Sequence, residues 1–155
     1  MAMKADLLKG SSIVLVLENE SNTFGESAEN CVDIVRTVDS VHLKLAYDPG
    51  NFVCGGGIIN NVELCWPLMK RYTVHVHIKD WKLGNTHKGS MPGEGDGHIK
   101  QLLAELRKIG YDGYLTLEPH LKAGGQFSGK TGPALFAQAI HETMKLCDET
   151  CLAFS

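Results

Sequence analysis

Four stretches of the chain alternate apolar and polar residues with a period of two: 13–18 (IVLVLE), 41–48 (VHLKLAYD), 73–79 (TVHVHIK) and 113–118 (GYLTLE). That period is the signature of β-strands. Each stretch is followed by a segment with helical spacing, at 26–38, 62–72, 97–109 and 133–147. Pro67 falls inside the second of these segments, where a missing amide N–H is costly. Asp96 is expected to cap the third helix at its N-terminus, Gly110 to follow its last turn, and Pro133 to open the fourth. Strand–helix alternation predicts parallel βα units. No linker or low-complexity stretch divides the chain, so residues 1–155 read as one unit. Glycine-rich loops are expected at 54–57, 84–97 and 123–132, and long loops in compact folds often carry function.

The strand ends share a pattern. The first ends in Glu18, the second in Asp48, the third in His77 and Lys79, the fourth in Glu118. Each unit therefore carries a metal-competent side chain at the C-terminal end of its strand. Alternation puts Val14, Val16 and Glu18 on one face, with His42, Lys44, Ala46 and Asp48, then His75, His77 and Lys79, then Tyr114, Thr116 and Glu118. The opposite faces, such as Leu43, Leu45 and Tyr47 or Val74, Val76 and Ile78, are apolar and suit packing under helices.

A flat sheet would hold the four strand-end side chains roughly parallel on strands about 4.8 Å apart. A sheet curled into a (β/α)8 barrel aims them at a common axis and places chemistry at the C-terminal strand ends. A doubly wound sheet competes, but it buries both faces, which leaves Lys44, His75 and His77 unexplained. A full barrel needs about 250 residues, and this chain has 155. The expected architecture is a half-barrel of four βα units. It is either the C-terminal half of a longer protein or one half of a homodimer.

Composition narrows the classes. The formal net charge is −3, which supplies no basic surface for nucleic acid. The longest apolar run, 13–17, is far too short for a membrane span, and no signal-peptide pattern precedes it. Five cysteines without a CxxC pair suggest neither a disulfide framework nor structural zinc, and reduced thiols fit a cytoplasmic location.

Three carboxylates and one imidazole form an O3N donor set suited to one divalent ion, with Mn, Mg or Co favoured and Zn allowed. Such an ion polarises a carbonyl and a neighbouring hydroxyl. Glu18 and Glu118 could then remove and return a proton, and Lys79 could steady an oxyanion or simply pair with one of the glutamates. His75, one step deeper than His77, reads as a hydrogen-bonded core histidine or a substrate contact. Trp81 could line a pocket, Trp66 is expected in helix packing, and Asp80 should cap a loop. The 91–97 run (MPGEGDG) reads as a loop shaping the site entrance. The 123–132 run is the better anion candidate, since it follows the last strand.

The runs Glu18-Asn19-Glu20, Tyr47-Asp48-Pro49-Gly50-Asn51-Phe52, His75-Val76-His77-Ile78-Lys79-Asp80, Pro92-Gly93-Glu94-Gly95 and Leu117-Glu118-Pro119-His120 resemble the second half of the sugar phosphate isomerase/epimerase family. These are xylose isomerase-like TIM barrels, related to ketose 3-epimerases, inosose dehydratases and hydroxypyruvate isomerases. The resemblance implies strands five to eight of the barrel, with Glu18, Asp48, His77 and Glu118 as metal ligands and the two glutamates as acid and base. It implies isomerization or epimerization of a sugar or polyol-derived ketone through a metal-bound enediolate. Alternatives are a dehydratase-type lyase or an inactive half-barrel; the abasic-site endonuclease branch is disfavoured by charge and by the lack of ligands for three zinc ions. Asn51 stands where the epimerase branch carries a substrate-contacting histidine, and Leu83 where it carries an arginine. Asn51, His75, Trp81 and His120 are the candidate substrate-binding residues.

Overall fold

A computed structural model of the chain describes residues 1–124 and 130–152. Four parallel strands form one sheet in sequential order: β1 (Leu15–Glu18), β2 (Leu43–Tyr47), β3 (Thr73–Ile78) and β4 (Tyr114–Leu117). One helical layer covers one face. After a short α1 (Ala2–Asp6), it comprises α2 (Ala28–Val38), α3 (Pro49–Cys54), α4 (Asn61–Leu64), α5 (Trp66–Met69), α6 (Ile99–Lys108) and α7 (Pro133–Thr150). Leu43, Leu45, Tyr47, Val76 and Ile78 are buried against Trp66, Met69, Leu102, Leu103 and Leu106. The opposite face is open: Val16 is 42% exposed and Tyr114 79%. Among the described residues, no helix is long and apolar enough to cross a membrane.

Local chemistry explains most boundaries. Ser27 caps α2 by accepting from the Asn30 amide at 3.2 Å. Gly110 ends α6 in the left-handed region, φ +63°, where a side chain would be strained. Pro133 opens α7 as expected. The single helix expected over 62–72 is instead two short ones, α4 and α5. Pro67 sits in the first turn of α5, the position where its missing N–H costs nothing. Asp96 does not cap α6. The cap position is His98, with no side-chain bond, and Asp96 accepts from the Leu83 amide at 2.8 Å. Val74 also departs from its expected apolar packing. The β2–β3 register shifts between Leu45 and Ala46, which pair with Thr73 and His75. Val74 is the residue left over, and it is 40% exposed.

Candidate metal centre

Each strand end delivers one side chain. Glu18 closes β1 and pairs with Ala46 of β2. Asp48 follows β2 and caps α3, its Oδ1 accepting from the Asn51 amide at 2.9 Å. His77 lies near the end of β3, and Glu118 follows β4. Ligand atoms of all four lie within 4.8 Å of one another. On a flat sheet β1 and β4 would be about 14 Å apart, so the curl of the sheet produces this convergence.

His77 Nδ1 faces three carboxylates: Glu18 Oε1 at 3.1 Å, Glu118 Oε2 at 3.5 Å and Asp48 Oδ2 at 3.6 Å. Burial pulls the imidazole pKa down, but the three carboxylates outweigh it and push it up to about 12. A proton there occupies the focus of a triple-negative cluster. The same cluster leaves Glu118 at about 2, chiefly through the His77 imidazole beside it. Asp48, fully enclosed, is raised to about 6 by burial. Asp48 Oδ2 and Glu118 Oε2 are buried without a hydrogen-bond partner. Three hard oxygen donors, one imidazole nitrogen and two orphaned carboxylate oxygens fit a divalent cation, and these four residues could hold one.

Lys79 is 1% exposed. Its ammonium donates to Asn51 Oδ1 at 2.8 Å and lies 3.5 Å from Glu118 Oε2 and 3.8 Å from Asp48 Oδ2. Gly50 makes room for its stem, since a Cβ there would stand 2.6 Å from Lys79 Cγ. Asn51, 3% exposed, bridges the cluster by also donating from Nδ2 to Glu18 Oε1 at 2.8 Å. Both side chains face inward on the carboxylates. Trp81 is sealed at 1% exposure, its Nε1 donating to the Asn85 carbonyl at 2.6 Å. His75 shares a hydrogen bond with Thr116 Oγ1 at 2.7 Å on the open sheet face. His120 lies against Glu118 Oε1 at 3.5 Å, and both line a ≈ 410 Å³ concavity with Pro119, Thr131, Gly132 and Phe136. Residues 125–129 of the anion-candidate loop lie outside the described residues.

One contributor escaped the sequence reading. Asn19, 1% exposed, clamps the ends of β1 and β2: its Nδ2 donates to the Asp48 carbonyl and its Oδ1 accepts from the Asp48 amide, both at 2.8 Å. The sequence marked it only as the middle of the Glu18-Asn19-Glu20 run, with no role of its own.

The rhizopine catabolism protein MocC of Rhizobium meliloti is 27% identical over 156 residues, a match covering 90% of this chain and 45% of that protein. The crystal structure of a D-tagatose 3-epimerase-like protein superposes with a TM-score of 0.72 at 19% identity, over 96% of this chain and 52% of that one. A xylose isomerase-like TIM barrel protein from Mycobacterium smegmatis, solved in complex with magnesium, gives a TM-score of 0.72 at 17% identity, over 96% and 48%. The chain thus spans about half the length of the relatives it matches. The family described as xylose isomerase-like TIM barrel matches residues 3–145. Four parallel strands with their chemistry gathered at the C-terminal ends are half of that barrel, and the chain belongs to this family.

Proposed function

We propose that the chain carries the metal-binding and acid–base half of a divalent-metal-dependent isomerase or epimerase of small sugars or sugar phosphates. The convergence of Glu18, Asp48, His77 and Glu118 within 4.8 Å carries this reading. The likeness to a D-tagatose 3-epimerase-like protein and to a magnesium complex of the same fold supports it. The donor set favours Mn2+, Mg2+ or Co2+ over Zn2+.

When bound, the ion would polarise the carbonyl and adjacent hydroxyl of a ketose, acidifying the C–H between them. The chain's own groups then move the proton. One glutamate, Glu18 or Glu118, takes it, the C–H electron pair becomes a C=C bond as the carbonyl π pair moves onto its oxygen, and the other glutamate relays a proton drawn from solvent back to carbon to complete the change. Their side chains are 26% and 39% exposed, so both reach the open side where a substrate would lie. Lys79 and Asn51 hold the two glutamates in place from the buried side. The open sheet face is suited to closure by a second set of βα units, from another copy or from the N-terminal half of a longer barrel.

The test is incubation of the Mn2+-loaded chain with ketoses and ketose phosphates in D2O. Deuterium at the carbon next to the carbonyl, with an epimer or aldose as product, supports the reading. A deoxy product assigns a dehydratase-type lyase instead. Absence of both exchange and Mn2+ binding overturns it.

A further inference from the structure

Asp80 follows Lys79 at the end of β3 and is fully enclosed, at 0% exposure. Its carboxylate is saturated by four backbone amides. Oδ1 accepts from Trp81 and Gly97, and Oδ2 from Gly93 and Gly95, each at 2.9 Å. The Asp80 carbonyl takes a fifth bond, from the Ser90 amide at 2.9 Å. Glycines at 93, 95 and 97 let the backbone wrap the carboxylate. A Cβ at Gly97 would stand 2.8 Å from Oδ1, and one at Gly95 would overlap it outright. The segment between β3 and α6 is therefore a rigid wrap around one buried anion.

This wrap touches the other ligand-bearing strand ends. A Cβ on Gly97 would stand 3.5 Å from Pro49 Cβ, in the first turn of the helix that Asp48 caps. Asn61 Nδ2 donates to the Gly97 carbonyl at 3.4 Å. The Gly89 amide donates to the His120 carbonyl at 2.9 Å, and Gly89 lies so close to the Pro119 carbonyl that a Cβ would not fit. One loop thus leans on the segments carrying Asp48 and Glu118 while hanging from the strand that carries His77.

We infer that Asp80 is a positioning residue for the metal centre: it pins the 80–98 segment so that the ends of β2, β3 and β4 hold Asp48, His77 and Glu118 at ligand spacing. This rests on the proposed reading of the cluster as a metal site. Contacts that orient metal ligands typically cost about 10- to 100-fold in metal affinity when they are lost.

The experiment is Mn2+ titration of the full chain, followed by the electron-paramagnetic signal of free Mn2+, well below the melting temperature. Asp80→Asn keeps the shape but turns an NH2 toward two amide donors, and it should weaken Mn2+ binding about 10- to 100-fold. Gly95→Ala keeps the charge while displacing Oδ1, and should do the same; it decides the matter if Asp80→Asn fails to fold. Leu106→Ala, a core truncation outside the wrap, lowers stability but should leave affinity within about twofold. Wild type that binds with both wrap variants unchanged overturns the role of Asp80. An equal loss in Leu106→Ala overturns it too, by reducing the effect to general destabilisation. Wild type that binds no Mn2+ overturns the metal-site reading itself.

Discussion

Asp48→Asn should reverse its effect on stability according to whether metal is present. The Asp48 side chain is fully buried, and burial raises its pKa from 3.8 to about 6. For an acid whose pKa rises on folding, stability is fully present below the unfolded value and is lost as pH climbs through the folded one. The window here is about pH 4 to 6. A rise of that size corresponds to about 3 kcal/mol of destabilisation at neutral pH in the metal-free chain. Asparagine removes that cost while its Oδ1 still caps the Asn51 amide, which Asp48 holds at 2.9 Å. In chelator at pH 7.5 the variant should therefore be more stable than wild type by about 1–3 kcal/mol, or about 2–10 °C in a chain of this size. Mn2+ at a thousandfold excess over its dissociation constant should add about 4 kcal/mol to wild type. The variant, lacking one of the four proposed ligands, should gain little. Thermal melts followed by circular dichroism, in chelator and in Mn2+, read both halves. A variant less stable than wild type in chelator, or shifted equally by Mn2+, refutes the reasoning.

Lys79→Met should cost the metal-free chain about 3 kcal/mol or more in urea titrations, because Asp48 and Glu118 lose the buried ammonium 3.8 and 3.5 Å away. Its Mn2+ affinity by titration calorimetry should rise, since one positive charge beside the cation is gone; a fall would mean that Lys79 shapes the site in another way. Glu118→Gln should flatten the acid side of the stability profile. Its carboxyl, lowered from 4.5 to about 2 chiefly by the neighbouring His77 imidazole, contributes stability above about pH 4.5 that wild type loses on falling toward pH 2. Urea midpoints at pH 6 and pH 3 measure that slope in both proteins, and identical slopes would contradict it.

Two clashes between expectation and structure share a physical origin. Asp96 precedes the apolar face of α6 in the way a capping residue should, yet its carboxylate is drawn to the Leu83 amide. The wrap around Asp80 fixes the backbone of 93–97 first and leaves His98 at the cap. Val74 has the right parity for the packed face, but the register shift between β2 and β3 takes it out of the alternation. In both cases a contact distant in sequence overrides a local preference.

The alternation of apolar and polar residues was enough to identify four parallel βα units and to rank Glu18, Asp48, His77 and Glu118 as one set, because strand period and unit length are local properties of the chain. Pro67 sat awkwardly in the one helix expected over 62–72, and the fold divides that segment in two. The direction each polar side chain takes was decided only in three dimensions. Asn51 turns inward on Glu18 and Lys79, Trp81 is sealed inside the 80–98 segment, and Asn19 ties two strand ends together. Those partners are 28 or more residues apart in most of the pairs. Only the curl of the sheet brings them within hydrogen-bond reach, and the charge each buried group must satisfy then sets where it points.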